Sequence, residues 1–249
     1  MATGKAGKIF VGVGGWNFAP WRGSFYPKGL TQTRELHYAS RELTSIEINS
    51  TFYGLQKPAT FKKWHDETPD GFVFSVKAPR FVTQRKNLAE SAASVERFLE
   101  SGVLELGAKL GPINWQLAPT KQFDAEELDA FLALLPTEID NRALRHALEV
   151  RHASFDCEEF VALVRKHQVA VVEAGDSEYP RIQVRSAPFS YLRVMGTKPS
   201  APKGYAPAAL ARWQERAQAL AREGDVFLYF ISGAKERNPQ AARALLEAL

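Results

Sequence analysis

Short runs of β-branched and aromatic residues alternate along the chain with longer stretches whose apolar residues recur at helical spacing. Turn-forming or polar residues bound each short run, which is typical of strands. Seven of the eight runs precede a helical stretch, and parallel strands need crossovers of this kind. The pattern predicts eight strands, at residues 8–14, 45–49, 72–77, 112–117, 146–151, 169–174, 189–194 and 225–231.

The intervening stretches predict seven helices, and the sixth connection, between the sixth and seventh strands, has no helical pattern. The last helix has the clearest start, because Asn238 can cap it and Pro239 suits its first position, where no amide hydrogen is needed. The predicted helices are residues 33–43, 60–67, 89–106, 125–135, 159–167, 208–223 and 239–249.

Eight strands, seven of them followed by a helix, in 249 residues match an α/β fold of the closed (β/α)8 type, the TIM-like barrel, better than an open doubly wound sheet. The open sheet remains the alternative. No shift in composition marks a linker, so we expect a single TIM-barrel-like domain over residues 1–249, irregular at the sixth βα unit.

Several predicted strands are more polar than a parallel barrel requires. Both faces of such a sheet are covered, so its strands normally read as nearly continuous apolar sequence. Here alternate residues near the carboxyl ends of five strands are polar, while their neighbours, such as Ile46 and Ile48, are apolar and suit the helix-facing side. The polar pairs are Glu47 with Asn49, Ser75 with Lys77, Asn114 with Gln116, Glu149 with Arg151, and Tyr191 with Arg193.

These polar side chains are therefore predicted to point into the barrel at the end where barrel enzymes place their active sites. Because a buried unpaired charge costs several kcal/mol, they must pair with each other, with water or with a ligand. A closed ion-pair network with a purely structural role is the alternative to a binding site.

The loops that follow the strands are more basic than the rest of the chain. Counting Lys and Arg against Asp and Glu, the eight loops carry +7, whereas the whole chain carries +4. Such a rim attracts anions. The first two loops also contain aromatic residues that suit sugar rings or nucleobases, either as a platform or as core: Trp16, Phe18, Trp21, Phe25, Tyr26, Phe52 and Tyr53.

Composition excludes several classes of protein. The apolar and charged fractions are those of an ordinary globular protein, and the apolar run after the N-terminal lysines is too short for a signal peptide or a membrane span. Cys157 is the single cysteine, which excludes an internal disulfide and fits a cytoplasmic protein. No cofactor is expected, since phosphate-loop and dinucleotide fingerprints are missing. The sequence leaves the oligomeric state open.

The chain also resembles a known family over nearly its full length. The most specific segment is Glu47-Ile48-Asn49-Ser50-Thr51-Phe52-Tyr53, and further matches are Gly12-Val13-Gly14-Gly15-Trp16, Trp21-Arg22-Gly23, Phe74-Ser75-Val76-Lys77-Ala78-Pro79, Glu149-Val150-Arg151-His152 and Tyr191-Leu192-Arg193. These motifs resemble the YecE-like proteins, which carry the domain of unknown function 72. The resemblance implies a TIM-barrel-type fold and leaves the activity open.

The favoured hypothesis is an enzyme that performs acid–base chemistry on a small anionic or carbohydrate-like (polyol-like) substrate at the mouth of the barrel. A Schiff base at Lys77 ranks lower, because only its position supports it. We assign Glu47, Lys77 and Glu149 as catalytic, and Trp16, Asn49, Tyr53, Gln116, Arg151, His152, Asp176, Tyr191 and Arg193 as substrate-binding residues.

Two other functions stay open. The basic, aromatic rim allows a protein that binds or processes nucleic acid, although the modest total charge argues against extensive backbone contacts. A divalent-metal sugar isomerase or hydrolase would need His152 together with Glu47, Glu149 and Asp176, and we assign no metal ligand. No membrane partner is expected.

Overall fold

A computed structural model describes residues 6–249, and its centre is a closed barrel of eight parallel strands. The barrel strands are β1 (Ile9–Gly14), β2 (Ser45–Ile48), β3 (Val73–Lys77), β4 (Leu110–Gln116), β7 (His146–Glu149), β8 (Ala170–Gly175), β9 (Phe189–Val194) and β10 (Asp225–Phe230). Around the barrel they follow the order β1-β10-β9-β8-β7-β4-β3-β2.

The predicted barrel is confirmed, and each predicted strand lies within two residues of an observed one. The predicted irregularity is confirmed as well, since the connection between β8 and β9 contains neither helix nor strand. A short antiparallel pair, β5 (Glu138–Ile139) with β6 (Arg142–Ala143), was not predicted because two-residue strands leave no periodic pattern.

The helices lie outside the barrel, and most match the prediction to within two residues. Two helices of four residues each follow β2 and β3 and were missed, because one turn is too short to show a period. The helices are α1 (Glu35–Glu42), α2 (Ser50–Tyr53), α3 (Pro58–Glu67), α4 (Arg80–Thr83), α5 (Ala92–Leu99), α6 (Ala125–Ala133), α7 (Glu158–Lys166), α8 (Pro207–Ala221) and α9 (Asn238–Ala248).

Two helix predictions need correction. The predicted helix at residues 89–106 is broken into α5 and flanking 3-10 turns, because Gly102 has a φ of 104°, a left-handed value that ends a helix. Asn238 does not cap α9. Its amide instead donates to the Ser232 carbonyl and accepts from the Thr197 hydroxyl, which ties two loops together at the carboxyl end of the barrel.

The barrel interior is layered from apolar to polar. Near the amino ends of the strands Phe10 stacks on Phe227 at 4.9 Å, with Phe189 edge-on to the same ring. The middle layer contains two buried hydroxyl pairs, Ser45 with Tyr229 and Ser75 with Tyr191. The charged residues lie above them, at the carboxyl ends, so the aromatic layers close the barrel from below.

His146 is a buried histidine in the layer between the barrel and the helices, and its protonation state can be tested by experiment. Trp115 Nε1 can only donate and lies 3.0 Å from His146 Nδ1, so the histidine proton lies on Nε2, which donates to the Pro136 carbonyl. Burial lowers the pKa of His146 below its ordinary value of 6.5. The folded protein therefore holds His146 neutral.

We expect the free energy of unfolding to fall as the pH drops below 6.5, because His146 then binds a proton in the unfolded chain but stays neutral in the folded one. The slope for one such group is at most about 1.4 kcal/mol per pH unit. Urea unfolding of the wild type and His146→Gln between pH 7.5 and 5 measures this difference. Identical pH dependence in the two proteins would contradict the neutral state of His146.

No helix among residues 6–249 is long and apolar enough to cross a membrane. The prediction that the N-terminus carries no signal peptide rests partly on residues 1–5, which lie outside the described residues.

Candidate functional site

The carboxyl ends of the barrel strands bring together side chains that lie far apart in the sequence. Glu47 on β2, Lys77 on β3, Glu149 on β7 and Arg193 on β9 all point into the barrel and are at most 7% exposed. Each is an alternate residue of a strand whose other face is apolar, which fixes its side chain inward. We call these four residues and Arg151 the charged cluster.

Arg193 is the centre of the charged cluster. Its Nη1 donates to both Glu149 oxygens, at 2.9 and 2.7 Å, and its Nη2 donates to Glu47 Oε1 at 3.1 Å. Burial alone would lower the pKa of Arg193, but the two carboxylates raise it above its ordinary value. The guanidinium therefore stays charged, and it links side chains of β2, β7 and β9.

Glu149 is the more completely bonded carboxylate. Besides Arg193, it accepts from Arg151 Nε at 2.9 Å, from Gln116 Nε2 at 2.8 Å and from Asn114 Nδ2 at 3.2 Å. Burial would raise the pKa of Glu149, but the nearby guanidiniums of Arg193 and Arg151 lower it to about 2. Glu149 thus remains ionised at physiological pH.

Glu47 has fewer partners and connects to the hydroxyl layer below it. Its Oε2 accepts from the Tyr191 hydroxyl at 2.6 Å, and Tyr191 in turn lies 2.7 Å from the Ser75 hydroxyl. Burial, together with the charge of Glu47, raises the pKa of Tyr191 well above its usual range. Tyr191 therefore acts as a neutral donor that positions Glu47.

Lys77 stands apart from the ion pairs of the charged cluster. Its Nζ lies 3.9 Å from the centroid of the Phe52 ring, and among residues 6–249 it makes neither a hydrogen bond nor a salt bridge. Burial, reinforced by repulsion from Arg193, lowers the pKa of Lys77 to about 8. The ammonium can lose its proton near neutral pH, unlike an ordinary surface lysine.

Arg151 follows β7 and forms the outer edge of the charged cluster, with a side chain that is 17% exposed. Its guanidinium lies 4.3 Å from the centroid of the Tyr179 ring, and its Nη1 donates to the Tyr179 hydroxyl at 3.3 Å. Tyr179 belongs to the connection without a helix, between β8 and β9. This loop therefore supplies part of the site wall.

Three of the predicted substrate-binding residues lie away from the charged cluster. Trp16 packs edge-on against Trp64 of α3 at 5.2 Å, in the layer between barrel and helices. Asp176 accepts from Trp213 Nε1 of α8 at 3.0 Å, and His152 Nδ1 lies 2.9 Å from the Ser154 hydroxyl within its own loop. The structure gives each of these side chains a partner of its own.

The hypothetical metal site of Glu47, Glu149, His152 and Asp176 does not form. In the part of the chain that the structure describes, no three His, Cys, Asp or Glu side chains are grouped to hold a metal ion. The physical reason is that Arg193 lies between the two carboxylates and occupies the oxygens that a cation would need.

The predicted aromatic platform is mostly core. Trp21, Phe25 and Tyr26 are at most 3% exposed and pack on one another to cover the first loop, and Trp21 Nε1 donates to the carbonyl of Lys235. Tyr53, by contrast, is 72% exposed, and the Arg80 guanidinium lies 5.9 Å from its ring centroid. Asn49 is half-buried directly after β2, next to Glu47.

The site also contains residues that were not assigned from the sequence. Asn114 Nδ2 donates to Glu149 at 3.2 Å and to Glu47 at 3.5 Å. The ring of Phe52 lies against the Lys77 ammonium, and the ring of Tyr179 lies against the Arg151 guanidinium. The polar alternation on β4 is a sequence signal for Asn114. Nothing in the sequence distinguishes Tyr179, because its loop has no periodic pattern.

A hollow of about 1160 Å³ opens at the opposite, amino-terminal end of the barrel. Two of its charged residues have partners of their own: Arg145 pairs with Asp225 at 3.2 Å, and Lys109 Nζ donates to two backbone carbonyls at 2.6 Å. We keep the carboxyl end of the barrel as the candidate site because buried charged side chains from four strands converge there.

Comparisons with known proteins agree with the sequence resemblance. The UPF0759 protein YecE of Escherichia coli K12 is 31% identical over 150 residues, which are 59% of this chain and 50% of the relative. The UPF0759 protein YunF of Bacillus subtilis is 32% identical over 75 residues, 30% of this chain and 26% of the relative. The matched segments thus span half or less of these curated relatives.

Two solved structures share the fold at low identity. A DUF72 family protein of Thermotoga maritima has a TM-score of 0.75 at 23% identity and covers 96% of this chain and 97% of that one. A DUF72 family protein of Enterococcus faecalis has a TM-score of 0.74 at 17% identity, covering 98% of each chain. The model of the family described as protein of unknown function DUF72 matches residues 10–249. The chain therefore belongs to the DUF72 family, as its motifs indicated.

Proposed function

We propose that the carboxyl-terminal mouth of the barrel binds a small anionic or carbohydrate-like molecule and carries out acid–base chemistry on it. The observation that supports this most directly is an imbalance of charge. The charged cluster contains three cations, Lys77, Arg151 and Arg193, and two carboxylates, Glu47 and Glu149. The single cysteine fits a cytoplasmic setting for this activity.

An excess positive charge in a buried site favours an anionic ligand. The two carboxylates are already shared by the guanidiniums, which leaves the Lys77 ammonium without a counterion among residues 6–249. Burying an uncompensated charge costs several kcal/mol, and a bound anion offsets that cost. An ion-pair network with a purely structural role would not need Lys77 as a third cation.

The surroundings of each group support different roles in proton transfer. Glu149 is held ionised by its many donors, so we propose that it positions Arg193 and Arg151 and does not itself exchange protons. Lys77, with a pKa of about 8, is the proposed proton-transfer group, and Glu47 is its proposed partner across β2 and β3. The Gln116 and Asn49 amides are available to orient hydroxyl groups.

Anion binding can be tested through Arg151, which reaches both Glu149 and the solvent-facing edge of the site. We expect Arg151→Gln to weaken the binding of the best anion about tenfold or more, since a charge-assisted hydrogen bond contributes about 1.5–3 kcal/mol. A thermal-shift screen with phosphate, sulfate, dicarboxylates and phosphorylated sugars identifies that anion, and calorimetry then gives its affinity.

A matched control is Arg181→Gln. Arg181 also pairs with a buried glutamate, Glu173, at 2.7 Å, but on the outer side of the barrel. This variant should bind the anion as the wild type does. Equal affinities in all three proteins, or no stabilisation by any anion of the screen, would contradict the proposal.

A nucleic acid is the second candidate ligand, favoured by the exposed Tyr53 ring beside Arg80. Stacking of a base on an aromatic ring contributes about 1–3 kcal/mol to the binding free energy. The Tyr53→Ala variant should therefore bind a single-stranded oligonucleotide with a binding free energy that is less favourable by about 1–3 kcal/mol. Binding must also depend on salt. A fall of less than about tenfold in affinity between 50 and 200 mM salt means that few phosphates are contacted, which rejects this candidate.

A further inference from the structure

Lys77 has the environment of a nucleophile as well as that of a proton carrier. Every other member of the charged cluster is engaged in an ion pair, whereas the Lys77 amine rests on the face of Phe52 and makes no hydrogen bond or salt bridge to any residue from 6 to 249. A free amine on a rigid strand, at the carboxyl end of the barrel, is placed to attack a bound molecule.

The groups around Lys77 favour a neutral amine. Phe52 from α2 covers one side of the amine and excludes water there, while the positive charge of Arg193 disfavours a second cation nearby. The pKa of Lys77 is about 8, so about a tenth of the side chain is unprotonated at pH 7. For an ordinary lysine that fraction is smaller by more than a hundredfold.

The same cluster can hold the rest of such a molecule. Arg151 is the partly exposed guanidinium, and its Nη1 contacts Tyr179 only at 3.3 Å, so it can turn a donor towards a carboxylate or phosphate. This step rests on the proposed function, because it uses the anion site described above. The charge of Arg151 acts on Lys77, so an anion held by Arg151 would lie in the same cluster as the Lys77 amine.

We propose that the substrate is an anionic carbonyl compound, an aldehyde or ketone that carries a carboxylate or phosphate, and that Lys77 forms an iminium (Schiff base) with it. The inference names the substrate class of the proposed site. It also gives Lys77 a covalent role in addition to proton transfer.

The step balances without any further reactant. The Lys77 ammonium first gives one proton to Glu47, and the free amine then attacks the carbonyl carbon, so that a C–N bond forms while the carbonyl π electrons move to oxygen. A second proton passes from nitrogen to that oxygen, and the proton held by Glu47 follows it. The C–O bond breaks, water leaves, and the nitrogen lone pair completes the C=N bond of the iminium.

Glu47 is better suited than Glu149 to hold the travelling proton. Arg193, Arg151, Gln116 and Asn114 all donate to Glu149. Glu47 accepts one bond from Arg193, one from Tyr191 and a long one of 3.5 Å from Asn114. It lies on β2, the neighbour of β3, and its negative charge acts on the Lys77 ammonium. The carboxylate with fewer donors loses less when it is protonated.

Reduction of the iminium by borohydride tests the proposal directly. The full-length protein is incubated with glyoxylate, pyruvate or glycolaldehyde phosphate in separate reactions, reduced, and analysed by intact mass and peptide mapping. We expect a stable secondary amine on Lys77, formed at least about tenfold faster than on the other lysines because its neutral fraction is higher. The first two probes test a carboxylate handle and the third a phosphate.

The controls separate specific from incidental labelling. Lys77→Arg keeps the positive charge but cannot form an iminium, and it should lose the adduct with all three probes. Lys109→Arg replaces a buried lysine that donates to two carbonyls at the other end of the barrel, and it should label at Lys77 as the wild type does.

The outcomes also separate this inference from the anion-binding proposal. Labelling spread over surface lysines and unchanged in Lys77→Arg, or no Lys77 adduct with any probe, overturns the iminium. If anions still stabilise the wild type in that case, the anion site stands without covalent chemistry. Loss of both the adduct and the anion effect removes both proposals.

Discussion

Replacing Arg193 with methionine is expected to destabilise the folded state by about 3–5 kcal/mol, the usual cost of removing one partner of a buried ion pair. Arg193 is 3% exposed and bonds both Glu47 and Glu149, which have no exposed surface. Methionine fills a similar volume but leaves the two carboxylates facing each other in the barrel. Their repulsion adds to the cost of burying them.

The control for this expectation is Arg181→Met. Arg181 pairs with Glu173 as Arg193 pairs with Glu149, but its side chain is 46% exposed, and Glu173 keeps Arg216 at 2.8 Å. A partly exposed pair of this kind contributes about 0–1 kcal/mol. Urea unfolding at pH 7 compares the two variants with the wild type.

A second variant keeps the test decisive if Arg193→Met does not fold. Among residues 6–249, Arg193 is the only ion-pair partner of Glu47, whereas Glu149 keeps Arg151. Adding Glu47→Gln to Arg193→Met removes the carboxylate that is left unpaired, so the double variant should recover part of the lost stability. Equal costs for Arg193→Met and Arg181→Met, or no recovery in the double variant, would show that Arg193 does not hold the two carboxylates together in the folded protein.

The sequence predicts the barrel well because the signals for its strands are local. An apolar run flanked by turn residues indicates a strand wherever it occurs, and the eight strands were located to within two residues. The break at Gly102 was missed for the opposite reason. Its left-handed backbone depends on the packing of the following segment, which a helical period in the sequence does not report.

The charged cluster was predictable only in part. Alternation along each strand shows that Glu47, Glu149 and Arg193 face inward, and the closed barrel brings inward residues together. The sequence does not reveal which cation pairs with which carboxylate, because that depends on the stagger of the strands. Lys77, which was assigned from the sequence as catalytic, is left outside the ion pairs by this stagger, and its contact with Phe52 in place of a carboxylate is visible only in the structure.

The loops were the least predictable part of the site. Trp16 and Tyr53 occupy similar positions in the sequence, each in a predicted loop after a strand. In the structure Trp16 packs against Trp64, whereas Tyr53 is exposed beside Arg80. Loop conformation is set by contacts with distant segments, such as the bond from Trp21 to the Lys235 carbonyl. Residue type alone cannot separate a loop aromatic that fills the core from one that meets a ligand.

The ionisation of Glu149 leads to the second large effect, a loss of stability in acid. The folded-state pKa of about 2 lies below the ordinary value of 4.5, so the folded protein holds Glu149 charged where the unfolded chain would bind a proton. A group of this kind stabilises the fold fully above pH 4.5. Its contribution, about 3 kcal/mol for a shift of this size, is lost as the pH falls from 4.5 to 2.

Glu149→Gln isolates this contribution. The amide cannot ionise, so the variant should be less stable than the wild type at pH 7 and should lose less stability between pH 4.5 and 2. Urea unfolding at pH 7, 4.5 and 3 gives both quantities. Glu223→Gln provides the background for an exposed glutamate, because Glu223 and its partner Arg185 each have side chains that are 55% exposed. Parallel pH profiles for Glu149→Gln and Glu223→Gln would mean that the Arg193 and Arg151 guanidiniums do not hold Glu149 ionised. In that case the proposed role of Glu149, a fixed anion that positions the two guanidiniums, would not hold.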